Sequence, residues 1–164
     1  MVIGIGIDII EIDRIRQSVE KFGDRFLKKI YTSREIDYCL KKKYKYQHLA
    51  ARFAAKEAVY KALATDWNED VSWQNIEISN EPNGMPVVTL HGGLKKFLEK
   101  EKCLKISMSH SKDYVACVAI IYRMDNSKNW IFSLLNDSIK STIFLYLHRI
   151  KELFDEQIKI IRNI

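Results

Sequence analysis

From Val2 to Ile9 the chain alternates so strictly that a strand is the only regular structure that sorts it. Ile3, Ile5, Ile7 and Ile9 fall on one parity, and Val2, Gly4, Gly6 and Asp8 on the other. A helix would scatter both sets around its axis, whereas a strand sends them to opposite faces. The four isoleucines are expected to form the core face. The glycines carry no side chain, so another backbone or a ligand can come close on the opposite face. Asp8 stands on that open face, at the end of the strand.

The second informative stretch is RFAAKEAVYKAL, Arg52 to Leu63. It lies in a segment, about 47–64, that is rich in alanine and free of glycine and proline, and that predicts a long helix. Glu57 and Lys61 are four apart and share a face. Lys56 and Lys61 lie on different flanks, and Arg52 shares the flank of Lys56. Magnesium takes one or two carboxylates, keeps waters and lets phosphates complete its shell. Asp8 and Glu57 suit that recipe if the strand end and the helix meet. The competing reading has Asp8 capping a turn and Glu57 paired with Lys61 on the surface. For Arg52 and Lys56 it is a solvated basic face.

The rest of the chain reads as α+β. Asp13 is the expected N-cap of a helix that stops near Gly23, and Asp24 starts a short turn through Ile30. Thr32 with Glu35 is a capping-box pattern, so a helix begins at about Ser33 and runs into Lys41, Lys42, Lys43 and Lys45. Strands are expected over 71–79, including Trp73, and over 86–90, joined as a hairpin by the turn Glu81-Pro82-Asn83-Gly84. A short helix should follow over 94–101, then strands over 104–109 and 114–122. Ser107, Ser109, His110 and Ser111 at a strand end can hold a phosphate or nucleotide, or form a satisfied turn. Over 125–164, apolar residues from Ile131 to Ile161 recur at three- or four-residue steps, predicting a helical C-terminal extension to a domain spanning 1–124.

The net charge of +6 favours an anionic partner: nucleic acid, an acidic protein, a phosphorylated small molecule or an anionic membrane. The three cysteines, Cys39, Cys103 and Cys117, show no CxxC spacing, which suits a reduced, cytoplasmic protein. The N-terminus has no basic leader region, Asp8 interrupts its apolar run, and no stretch of transmembrane length is free of charge. GIGID lacks the third glycine of a dinucleotide fingerprint. No HExxH, zinc-knuckle, Walker or serine-hydrolase sequence occurs.

Five pieces in order, GIGIDIIEIDRI, FGDRFLKKIYTSREIDYC, ARFAAKEAVYKAL, NGMPVV and ISMSHSKDYVACVAI, resemble the holo-[acyl-carrier-protein] synthase family, the small bacterial-type 4′-phosphopantetheinyl transferases. The resemblance runs from Val2 to about Tyr122 and leaves the last forty or so residues outside it. It implies a curved antiparallel sheet with helices on one side, and a homotrimer with active sites at subunit boundaries. It implies transfer of the phosphopantetheine arm of coenzyme A to a serine of apo acyl carrier protein, in fatty acid biosynthesis, with release of adenosine 3′,5′-bisphosphate. By motif position, Asp8 and Glu57 would ligate Mg²⁺, and Lys61 would neutralise the pyrophosphate. The serine proton would pass to water at the metal or directly to Glu57. Arg52, Ser109 and His110 would contact the adenine nucleotide end, and Gly84 and Pro86 would lie against the cofactor. Arg14, Arg25, Lys41, Lys42, Lys43 and Lys45 would dock the acidic carrier protein. The competing reading, a basic nucleic-acid-binding module, has the charge and the lysine run behind it. It has no use for Asp8 and Glu57, and no nucleic-acid-binding motif is present, so no nucleic acid partner is expected.

Overall fold

The computed structural model describes residues 1–63, 72–98 and 101–124. The helical extension expected over 125–164, and Val71, lie outside them. Strand β1 (Val2–Glu11) leads directly into helix α1 (Ile12–Ile30), followed by α2 (Ser33–Leu40) and α3 (Lys45–Leu63). A 3-10 turn (Trp73–Asn75) precedes β2 (Ile76–Asn80) and β3 (Pro86–Leu90). A second 3-10 segment (Gly92–Leu98) precedes β4 (Lys102–His110) and β5 (Tyr114–Arg123). The strands form two antiparallel sheets, one ordered β1-β5-β4 and the other the β2–β3 hairpin.

Helix α3 lies across β1 and β5 and is the centre of the core. Its Leu49, Ala50, Ala54, Ala55, Ala58, Val59 and Ala62 are buried. Gly4 and Gly6 are where it approaches the sheet. A Cβ at Gly4 would stand 2.0 Å from the carbonyl oxygen of Ala62, and one at Gly6 would stand 1.9 Å from that of Ala58. The glycine face, not the isoleucine face, is therefore the core face, which reverses the expectation. Ile3, Ile5, Ile7 and Ile9 are 43, 64, 64 and 50 % exposed. The reason is steric: among the described residues the helical layer against this sheet sits on the glycine side, where alanine and glycine let backbones come closest.

Several local features differ from the sequence reading for identifiable reasons. Asp13 does not cap α1. Glu11 occupies the cap position without a side-chain bond, while Asp13 binds Arg16 and Gln17 in the first turn. The first free N–H of the helix, that of Ile12, donates instead to the carbonyl of Asp113 at 2.8 Å, so the β4–β5 turn supplies the cap. At Gly23 the backbone breaks from helical geometry with φ of +53°, and 24–30 resumes as helix rather than as a turn. The capping box at Thr32 and Glu35 forms as expected. Trp73 belongs to a 3-10 turn and not to a strand. The Asn75 side chain closes that turn by accepting from the Ser72 N–H at 2.7 Å, and Trp73 stacks on Phe53.

Candidate active site

Asp8 projects from the glycine face of β1, in register with Cys117 of β5. Its neighbours come from α3, because the close packing at Gly4 and Gly6 leaves the helix a short reach from the strand end. Lys61 Nζ lies 2.8 Å from Asp8 Oδ1 and 3.1 Å from the carbonyl oxygen of Ile7. Glu57, one turn earlier, is half-buried. Burial raises its carboxyl above the usual range, the charge of Asp8 adds to this, and Lys61 opposes it. Beneath them the buried Cys117 thiol is pushed up to about 12, by burial first and by Asp8 second. Two acids and one ammonium thus share one place, and Lys61 is drawn across to Asp8 rather than serving only its helical neighbour.

This donor set fits magnesium. Two carboxylates from different elements repel one another, as the raised Glu57 records, and a hard divalent cation would relieve that repulsion. Among the described residues no third His, Cys, Asp or Glu joins a metal-binding group, so the remaining positions fall to water and phosphate oxygens.

A second group forms on the other flank of α3. Arg52 is buried, its guanidinium 4.2 Å from the centre of the Tyr38 ring. It donates to the His48 carbonyl at 3.3 Å and to Asn80 Oδ1 at 3.0 Å, while its Nε makes no hydrogen bond among the described residues. Asn80 in turn donates to the carbonyl of Gly84 at 2.9 Å, and Pro86 lies opposite it in the hairpin. Asn80 thereby links three predicted site residues, and its own signal in the sequence was only its place at a strand end before a turn. His48 is held below its ordinary value, first by burial and then by Arg52, Lys42 and His110.

The remaining predicted residues divide. Ser109 and His110 leave β4 on opposite faces. His110 is on the α3 side, in register with Val115, and Ser109 is on the isoleucine side, in register with Ala116 and so with Ile9. Arg14, Arg25, Lys41, Lys42, Lys43 and Lys45 are all exposed. Lys56 corrects the reading of a solvated basic face: its side chain is wholly buried, 2.8 Å from Glu35. Among the described residues the Asp8–Glu57–Lys61 group and the Arg52 group lie on different flanks of α3. The cavity of about 450 Å³ lies elsewhere, between Glu11, Arg16, Tyr46 and Lys112, and includes none of them.

Comparison with known proteins places these features in a family. The model of the 4′-phosphopantetheinyl transferase superfamily matches residues 4–119. A holo-[acyl-carrier-protein] synthase of Protochlamydia amoebophila is 46 % identical over 120 residues, 73 % of this chain and 98 % of that one. The crystal structure of holo-[acyl-carrier-protein] synthase from Neisseria meningitidis superposes with a TM-score of 0.69 at 34 % identity, covering 75 % of this chain and all of that one. The Helicobacter pylori holo-[acyl-carrier-protein] synthase in complex with coenzyme A gives 0.62 at 32 % identity, covering 72 % of this chain and 99 % of the other.

Proposed function

This chain belongs to the 4′-phosphopantetheinyl transferase superfamily, and we propose that it acts as a holo-[acyl-carrier-protein] synthase. It transfers the 4′-phosphopantetheine group of coenzyme A to a serine of apo acyl carrier protein and releases adenosine 3′,5′-bisphosphate. The observation that carries this reading is the meeting of Asp8, Glu57 and Lys61 beside the C-terminal half of β1. The relative solved with coenzyme A shares the fold at 32 % identity.

The reaction forms a bond from the serine oxygen to the β-phosphorus and breaks the bond from that phosphorus to the bridging oxygen. The difficulty is electrostatic, because an anionic pyrophosphate repels the nucleophile and more charge gathers on the leaving oxygens. Asp8 and Glu57 would hold a magnesium ion, which when bound supplies positive charge against that pyrophosphate. Lys61, half-exposed beside Asp8, supplies a second positive charge and holds the Asp8 carboxylate in place. The serine proton would pass to water or directly to Glu57. Arg52 and His110, with the loop at Gly84 and Pro86, would receive the nucleotide end of coenzyme A. Ser109 would join them from the other face of β4.

The working form is a homotrimer. The exposed isoleucines of β1, with Val118 and Ile120 beside them in register, make an apolar sheet face of the kind that a neighbouring copy would cover. In this reading each active site lies at a subunit boundary, where the Arg52 group of one copy meets the Asp8–Glu57 group of another. The exposed cations Arg14, Arg25, Lys41, Lys42, Lys43 and Lys45 suit an acidic carrier protein. Residues 1–124 form the transferase unit of this reading. This reading places the work in the cytoplasm, where thiols such as Cys39, Cys103 and Cys117 stay reduced.

The test is direct. The protein is incubated with coenzyme A, Mg²⁺ and a panel of apo carrier proteins, and the carriers are weighed intact. Addition of one phosphopantetheine per carrier is expected. No addition to any carrier would refute the reading.

A further inference from the structure

Lys56 and Glu35 form a wholly buried ion pair, with 0 and 1 % side-chain exposure and 2.8 Å between Nζ and Oε2. The ammonium also donates to the carbonyls of Trp73, at 2.9 Å, and Ile76. Its three N–H groups therefore have three acceptors. The carboxylate is filled from the backbone: Oε2 accepts from the Thr32 N–H at 2.8 Å and Oε1 from the Ile78 N–H at 2.9 Å. Helices α2 and α3, the 3-10 turn and β2 thus converge on a single pair of charges.

Stability is a poor reason for such a pair. Withdrawing two charges from water costs about as much as their attraction returns, and apolar residues of similar volume often serve as well. Direction is a better reason. The alanines on the buried face of α3 offer short side chains, with little interlock of their own to set its rotation. A lysine with three fixed acceptors supplies that interlock.

Lys56 is followed by Glu57, about 100° further around the helix. Pinning Lys56 toward β2 therefore fixes the direction in which Glu57 leaves toward β1. On the other side, Glu35 holds the Ile78 N–H two residues before Asn80, and Asn80 binds both Arg52 and the Gly84 carbonyl. One ion pair thus stands between the acid that meets Asp8 and the hairpin tip that carries Gly84 and Pro86.

We propose that the Glu35–Lys56 pair is a positioning device for the transfer reaction, setting the rotation of α3 that aims Glu57 at Asp8 and the stance of the β2–β3 hairpin toward coenzyme A. The proposal rests on the transferase reading above, and assigns both residues a role through others rather than on the substrate.

Two variants test it. Glu35→Gln with Lys56→Met removes both charges at nearly constant volume. Glu35→Asp keeps both charges but withdraws the carboxylate by one methylene. Each is compared with the wild type in urea unfolding and in transfer kinetics. The double variant is expected to fold, yet to lose kcat and to raise KM for coenzyme A, each by about tenfold or more, as small misplacements in reacting groups do. Glu35→Asp is expected to move the same constants in the same direction by less. Folded variants with wild-type kcat and KM for coenzyme A would overturn the proposal and leave the pair purely structural. If the double variant does not fold, Glu35→Asp decides by the same criterion. Failure of the transferase reading would look different: the wild type itself would neither bind coenzyme A in a calorimeter nor modify a carrier protein, and the proposal would fall with it.

Discussion

The ammonium of Lys61 stands 2.8 Å from Asp8 Oδ1, joining residues 53 positions apart and bringing the last turn of α3 onto the C-terminal half of β1. Their contact makes one chemical site out of two distant sequence segments. Asp8→Asn and Glu57→Gln, both nearly isosteric, should fold normally and lose about two orders of magnitude or more in transfer rate; Lys61→Met should lose about as much. Single-turnover kinetics on carrier protein, with circular dichroism as the folding control, reads this. Near-normal rates for either acid variant would refute the metal assignment.

Ionised Glu57 is a cost to the metal-free fold. Its folded pKa is raised, so folding favours its protonated form. Stability from this group is present below the unfolded carboxylate pKa and is lost as pH rises through the folded value. In EDTA at neutral pH, Glu57→Gln should therefore melt above the wild type, and the gap should close as pH falls through the carboxylate range. Adding Mg²⁺ should raise the melting temperature of the wild type and leave Glu57→Gln nearly unchanged. Thermal scans across pH and metal concentration check both signs.

Gly6→Ala should be among the most damaging small substitutions in the chain. The added methyl would meet the Ala58 carbonyl oxygen at 1.9 Å, and backbone rather than a flexible side chain would have to yield. A loss of about 1–3 kcal/mol in urea unfolding is expected from overpacking of this kind. Transfer should fall as well, since α3 can relieve the clash only by moving from β1 and taking Glu57 with it.

Ile7→Glu tests the shared-site arrangement. Ile7 is 64 % exposed in the single chain, so a charge there should leave the monomer fold intact. It should break the assembly and abolish transfer, though no predicted ligand of coenzyme A or metal has been altered. Light scattering coupled to size exclusion reports the mass. A monomer with full activity would refute active sites at subunit boundaries.

Reversing charge at Arg25 and Lys43, both exposed, should raise KM for the carrier protein and leave KM for coenzyme A near the wild-type value. The wild type should show the same loss as salt rises, because exposed charges separated by more than about 10 Å are screened at 0.1 M. Steady-state titrations of each substrate at two ionic strengths separate the effects.

Much of the site was legible beforehand because its signals are local. The spacing of Glu57 and Lys61 gives a shared helix face, the parity of β1 sets Asp8 with the glycines, and the Thr32–Glu35 pattern is a cap written in four residues. Asn80, and the pairing of Glu35 with Lys56, escaped notice for the opposite reason. Asn80 matters because Arg52 arrives from a helix 28 positions earlier, and Glu35 is both a cap and a buried counter-charge to Lys56. The capping role can be read from neighbours, but the counter-charge cannot. Lys56, read as a candidate for a solvated face, is buried because helix periodicity ranks flanks without saying what packs on each.

Parity along β1 determined which residues travel together: the isoleucines on one side, the glycines with Asp8 on the other. It could not say which side is interior, since a two-residue period is the same viewed from either face. That was decided in three dimensions by the contact of Gly4 and Gly6 with Ala62 and Ala58, where absent side chains let a helix rest on the sheet. The same contact carries Glu57 and Lys61 to Asp8 and leaves four isoleucines facing outward.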